Sequence, residues 1–135
     1  MKRRLLSISV ATLPVSWKRV RGSSTRYKPV NVKAWQEFLA EICKEEITMS
    51  EDPSLFPYAG PVEISIEVLY PDDNALHRLG DPDNIEKAIF DALTGIVIKD
   101  DRLRYIRRHS LTSNLALSEE EVGTHIGIYS LSSLR

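Results

Sequence analysis

The stretch Gly80-Asp81-Pro82-Asp83-Asn84-Ile85-Glu86-Lys87 carries the residues best able to do chemistry. Proline suits the first position of a helix, because its missing N–H is one that a helix start leaves unbonded anyway. With Pro82 there, Asp81 becomes the N-cap residue, and Asp83 and Asn84 fall in the first turn. Two carboxylates then gather where the helix dipole is positive. Lys87 lies four residues after Asp83 and shares its face. Ile85, Ala88, Ile89, Ala92 and Leu93 mark the opposite, apolar face, so the charged face looks away from the core.

Each of these residues has an ordinary explanation. An aspartate before a helix is commonly a cap. Asp83 with Lys87 makes a surface ion pair worth about 0.3–0.5 kcal/mol. Asp100-Asp101 makes a turn. The combination asks for more, because a cap needs one aspartate rather than a pair followed by an amide and a phase-matched lysine. Residues 96–101 read as a short apolar turn into the double aspartate. Extended chain rises about twice as fast per residue as helix, so this segment is expected to bring Asp101 back beside Asp81 and Asp83. Carboxylates with no cysteine or histidine partner form a hard-oxygen site, suited to Mg2+ with Mn2+ as a substitute. Such a metal beside a lysine is equipped for phosphoryl transfer.

The pattern Asp81-x-Asp83-Asn84-x-x-Lys87-x-x-x-Asp91-Ala-Leu, followed by Asp100-Asp101, resembles the signature of the RusA family of Holliday junction resolvases. The likeness is specific over residues 80–108 and looser elsewhere. It implies Asp81, Asp83 and Asp101 as metal ligands, Asp100 as an alternative beside Asp101, and Lys87 as a catalytic lysine. Asp91 matches a recurrent position of no assigned role. The resemblance also implies Mg2+ as cofactor and a homodimer that nicks two opposing strands of a four-way DNA junction. Hosts would be bacteria, phages or prophages. Two departures bear on junction binding. The family often opens with a strand ending in Leu-Pro-x-Pro-Pro-Ser-x-Asn, where this chain has Leu13-Pro14-Val15-Ser16-Trp17-Lys18. The loop before the first motif aspartate is usually basic, whereas here it holds Asp72, Asp73, His77 and Arg78.

These residues need a scaffold, and 135 residues suffice for one domain with one core, residues 1–135. The hydrophobic fraction of 42% and charged fraction of 27% are those of a globular chain. Residues 1–28 contain eight basic side chains and no acidic one; the other 10 basic residues face 19 acidic ones, so the rest carries −9. A basic arm at about residues 16–29 beside an acidic body suggests a polyanionic partner, with Lys18, Arg19, Arg21 and Arg26 as phosphate contacts. Trp17 in that arm reads as a core plug or a base-stacking residue. The one cysteine, Cys43, forms no internal disulfide, and no Cys/His set has zinc spacing, which fits a reducing cytoplasm. No run spans a membrane.

The chain starts with Leu6, Ile8 and Val10 alternating with Ser7 and Ser9, a strand rather than a signal peptide. Val32, Trp35, Leu39, Ile42 and Cys43 predict a helix of about four turns capped by Asn31. Alternation over residues 62–70 predicts the clearest strand. Residues 71–80 read as a polar loop, and the motif helix ends at Thr94-Gly95. Residues 103–112 and 122–128 read as two strands paired in an antiparallel hairpin. The expected fold is α+β, in the order strand-helix-strand-helix-strand-strand, a mixed sheet with helices on one face. Arg104, Arg107 and Arg108 are expected to face DNA. His77 lies within reach of a phosphate, His125 is a strand-face residue, and Phe90, off the apolar stripe, is expected against a dimer partner or a covering loop. The function these features favour is a Mg2+-dependent, structure-selective endodeoxyribonuclease of recombination and repair. The alternatives are a non-catalytic DNA-binding module and a Mg2+-dependent phosphohydrolase of small nucleotides; no phosphate-cradling glycine loop supports the latter.

Overall fold

A computed structural model of the chain describes residues 2–15, 18–19, 26–27 and 30–131. Its centre is a four-stranded mixed sheet in the order β1-β6-β4-β5, where β1 is Lys2–Val10, β4 Val62–Tyr70, β5 Ile106–Leu115 and β6 Gly123–Leu131. The period-two apolar pattern decides which face is buried. Leu6, Ile8 and Val10 of β1 join Val62, Ile64, Ile66 and Val68 of β4 and Ile126 and Ile128 of β6 in one hydrophobic cluster. The buried stripes of α1 (Val30–Thr48) and α3 (Pro82–Leu93) cover that face. Ser9 and His125 stand on the other face, joined at 2.8 Å, as expected of a strand-face histidine.

Strand directions decide where the motif helix begins and ends. β1 and β4 each run antiparallel to β6, and β5 runs parallel to β4, so β1, β4 and β5 all finish at the same end of the sheet. We call it the upper end. The chain then descends through α3 and rises again in β5, a parallel crossover. At the upper end Gly80 shares a groove with Leu13, Pro14 and Val15, which follow β1, and with Asn31 at the start of α1. Trp35 Nε1 donates to Thr12 Oγ1 at 3.0 Å, and Thr124 Oγ1 donates to the Thr12 carbonyl at 2.8 Å, tying the segment after β1 to both layers. Halfway down, the buried Gln36 amide donates to the Ala88 carbonyl at 2.9 Å and locks α1 against α3. At the lower end α3 closes in a tight turn, in which Val97 and Ile98 N–H groups both donate to the Leu93 carbonyl. Tyr58 is bonded to Val97 and Lys99 there, and Val62 N–H donates to the Tyr105 carbonyl at 2.7 Å.

The expected α+β class and helix face hold, with four differences of detail. Residues 71–80 contain a short helix, α2 (Asp73–Leu79), because Asp72 accepts from Ala75 N–H at 2.8 Å and Ala75 and Leu79 bury one face. α1 begins at Val30, so Asn31 lies in its first turn instead of capping it, and the helix is a turn longer than expected. Within the basic segment Lys18–Arg19 (β2) and Arg26–Tyr27 (β3) form a two-stranded antiparallel ribbon. Within the chain Phe90 is half-buried, edge-on to His109 at 5.8 Å between ring centroids. The last two strands do not form a hairpin. Residues 116–122 cross the end of β4, held by Ala116 N–H on the Tyr70 carbonyl at 2.8 Å, and β6 enters between β4 and β1. The burial patterns give the reason. β6 buries most of its residues and belongs inside the sheet, whereas β5 exposes most of its side chains and belongs at the edge.

Ile89 is fully buried at the middle of the α3 stripe. Ile89→Ala should lower unfolding free energy by about 2–5 kcal/mol in urea titrations; a loss under 1 kcal/mol would mean that α3 is not held by this stripe.

Candidate active site and its family

Between α2 and α3 stand only Gly80 and Asp81. Gly80 takes φ 83°, a conformation that favours glycine, and so ends α2 sharply beside the start of α3. Asp81 is the N-cap residue by backbone geometry, and its carbonyl accepts from Asn84 and Ile85 N–H at 3.1 and 3.2 Å. Its carboxylate makes no capping hydrogen bond. Asp72, nine residues earlier, shows what a capping aspartate does in this chain: its side chain accepts the Ala75 N–H. The helix therefore uses the backbone of Asp81 and leaves its exposed carboxylate to other work. Asp83 is exposed in the first turn. Asn84 is buried, and its Oδ1 has no hydrogen-bond partner among the described residues. An unsatisfied buried acceptor is costly, about 1–3 kcal/mol, and calls for an explanation. Together these three residues offer only hard oxygen donors at the positive end of a helix, a set whose chemistry fits a small divalent cation.

Lys87 stands one turn below Asp83 on the exposed side of α3. It pairs with Asp91 at 3.8 Å, one turn further down. That pair gives Asp91, expected only at a recurrent position of no assigned role, an observed contact; its i,i+4 spacing from Lys87 is the sign that could have found it. Glu86, on another side of α3, meets His109 Nδ1 of β5 at 2.6 Å.

The double aspartate lies elsewhere. Lys99 is bonded to Tyr58 and Tyr105 to Val62, so Asp100 and Asp101 between them stand at the lower end of α3. A helix of 12 residues is about 18 Å long. The segment 96–101 thus fails to return Asp101 beside Asp81 and Asp83, because residues 94–98 fold into the helix-closing turn instead of extending along it. Consistently, no group of three or more His, Cys, Asp or Glu side chains among the described residues is placed to hold a metal ion. Asp100 holds a turn, as its ordinary explanation in the sequence had it. It accepts from Arg102 Nε at 2.8 Å and from the Asp101 N–H at 2.7 Å. The Arg102 guanidinium, more than any other group, holds the Asp100 carboxyl below its usual range and raises its own value in return. The turn gains from this pairing at pH values above the ordinary carboxylate range and loses it as pH falls through the lowered value.

Of the expected DNA contacts, Arg104, Arg107 and Arg108 are all exposed. They share no single row: Arg104 sits on the turn with its guanidinium 5.9 Å from the Tyr105 ring, and Arg107 falls at the β4–β5 register shift, with no residue of β4 opposite it. Arg21 and Trp17 lie outside the described residues, as do the side chains of Lys18, Arg19 and Arg26. His77 and Arg78, on the last turn of α2, line a groove of about 500 Å3 next to Gly80. Cys43 is a buried free thiol, pushed up to about 12 by burial and by Glu46, and takes no part in the site.

A family model described as Endodeoxyribonuclease RusA matches residues 10–129, nearly the whole chain. The chain belongs to the RusA family. No curated protein matches it. Membership makes the chain an endodeoxyribonuclease of the kind that resolves Holliday junctions, and decides between nuclease and non-catalytic binding module. RusA nucleases belong to bacteria and phages, act on branched DNA and typically use a divalent metal. No helix among the described residues is long and apolar enough to cross a membrane.

The two N-cap aspartates should respond differently to truncation. Asp72→Ala removes a side-chain cap and should cost about 0.5–2 kcal/mol of stability. Asp81→Ala removes none and should leave the urea midpoint close to that of the unmodified chain. Equal losses would show that Asp81 does cap α3.

Proposed function

We propose that this chain, as a single RusA-like domain in the cytoplasm of a bacterium, some carrying it as phage or prophage DNA, is a Mg2+-dependent resolvase that cuts four-way DNA junctions by paired nicks as a homodimer. The observation that carries the proposal is the start of α3, where an N-cap aspartate whose side chain does not cap, a second aspartate and a buried amide oxygen without a partner among the described residues stand in one turn. Asp81 and Asp83 are the metal ligands in this reading. Asp101, which stands at the other end of α3 within its own chain, joins them only from the second chain of the homodimer, and Mn2+ can substitute for Mg2+. Bound there, the metal supplies an activated water and charge neutralisation at the scissile phosphate. The chain's own contribution is positioning. The α3 N-terminus presents a positive dipole end to the phosphate. Lys87 carries its ammonium one turn from Asp83, and Asp91 steadies it from below. Asp100 shapes the turn that presents Asp101 and is not needed as a ligand. Lys18, Arg19, Arg21 and Arg26 bind backbone phosphates in this reading, as do Arg104, Arg107 and Arg108. Two-fold symmetry of a four-way junction calls for two identical active sites, hence two chains.

A synthetic four-way junction labelled on one strand at a time should be cut in symmetric pairs with Mg2+ and left intact with EDTA. Asp81→Asn and Asp83→Asn should each abolish cutting while junction binding survives, since removing an anion does not weaken attraction to DNA. Near-normal cutting by either variant removes that residue from the ligand set.

Lys87→Ala should slow cutting roughly 100- to 1,000-fold, as loss of a charge aimed at the transition state does, with little change in junction affinity. Equal losses in rate and affinity would reduce Lys87 to a phosphate contact.

A further inference from the structure

Five large apolar side chains stand open to solvent among the described residues, and Leu103, 80% exposed, differs from the others in its surroundings. Phe38 lies on α1 and Met49 just after it, while Leu115 ends β5. Leu117 is followed by Ser118 and Glu119-Glu120-Glu121, and its N–H donates to Glu121 at 2.8 Å. Leu103 instead has an arginine on either side, and no acidic residue follows Asp101 until Glu119. Between Asp100 and Arg108 two aspartates face four arginines, so the local balance is +2.

The turn that carries Leu103 is held firmly at its base. Asp100 accepts from the N–H groups of Asp101 and Arg102 at 2.7 and 3.3 Å, and from Arg102 Nε at 2.8 Å. The Tyr105 and Ile106 N–H groups both donate to the Arg102 carbonyl, at 2.9 and 3.0 Å, and the Tyr105 carbonyl accepts from Val62. Leu103 and Arg104 form the tip of this closed turn, which is rooted in β4 and β5. Burying a leucine side chain changes an equilibrium constant by roughly 10- to 100-fold. The fold forgoes that gain here and holds the side chain outward on a fixed mount, two residues after Asp101.

We propose, resting on the metal-nuclease reading above, that Leu103 is a wedge that enters the base stack at the centre of branched DNA, with Arg102 and Arg104 on the flanking phosphates. An apolar side chain between cations suits that ligand, because the gap between two stacked bases is apolar and bordered by phosphate. Opening a base step is costly in continuous duplex. It is least costly where stacking is already interrupted, as at the crossover of a four-way junction. Leu103 therefore favours branched over linear DNA, a selectivity that phosphate contacts, which every DNA offers, do not supply.

Leu103→Ala tests the proposal, with Leu103→Met as the conservative variant and Leu117→Ala as the control. A four-way junction with 2-aminopurine at the crossover and a linear duplex are titrated in EDTA, so that no strand is cut. The unmodified chain should raise the 2-aminopurine fluorescence as the base unstacks. Leu103→Ala should bind the junction roughly 10- to 100-fold more weakly, bind the duplex as before, and give no fluorescence rise at saturation. Leu103→Met should keep both readouts, since methionine also serves as an apolar wedge. Leu117→Ala should match the unmodified chain. The slope of log affinity against log salt should stay constant for Leu103→Ala and fall by about 0.9 for Arg104→Ala. A fluorescence rise and an unchanged junction-to-duplex ratio in Leu103→Ala would overturn the proposal. So would a lowered urea midpoint, which would make Leu103 a packing residue, or a changed sedimentation coefficient, which would make it a subunit contact. An unmodified chain that bound junction and duplex alike, and cut neither with Mg2+, would instead overturn the nuclease reading.

Discussion

The apolar stripe of α3 against the sheet is the contact on which the rest depends. Ile85, Ala88, Ile89, Ala92 and Leu93 are all buried, and Gln36 fixes the rotation of the helix by bonding to the Ala88 carbonyl. Once that stripe faces the core, Asp83 and Lys87 face solvent on the opposite side, because residues at helical spacing cannot share a face with it. The crossover from β4 through α3 to β5 then sets direction. Helix and strands run oppositely, so whatever starts α3 and whatever follows it must lie at opposite ends of the sheet.

Aspartates do different jobs in this frame, and their surroundings sort them. Asp72 spends its carboxylate on an N–H of α2, and Asp100 spends its own on Arg102 and on the backbone of a tight turn. Asp81 stands at the same kind of position as Asp72 yet holds no backbone donor. The proline after it removes one N–H, and the helix is secured through the Asp81 carbonyl instead. Several carboxylates converging without a counter-ion would repel one another. A fold that keeps Asp101 away from Asp81 and Asp83 avoids that cost within the free chain.

The edge position of β5 follows from its composition. A strand carrying Arg107, Arg108, Ser110, Thr112, Ser113 and Asn114 cannot be buried on both faces without stranding polar groups. β6, with Thr124, Ile126 and Ile128 buried, takes the interior place. That exchange puts the arginine-rich strand and its turn at the border of the molecule, next to α3 and open to contact.

Much of this was legible in the residues themselves. Alternation over residues 62–70, the apolar stripe of 85, 88, 89, 92 and 93, and Pro82 after Asp81 are local signals, and local geometry answers to them directly. The sequence by itself determined the α+β class, the motif helix with its start and stop, the exposed side on which Asp83 and Lys87 stand, and the family. It did not determine α2, whose seven residues are too short for a periodic signal, nor the order of the strands, since a seven-residue connection serves a hairpin or a step across a strand equally well. Only the tertiary structure decided where Asp101 stands. Whether residues 96–101 extend along a helix or close it depends on which core receives Val97 and Ile98, and that core is assembled from Tyr58, Leu93 and the start of β4, residues far apart in the chain.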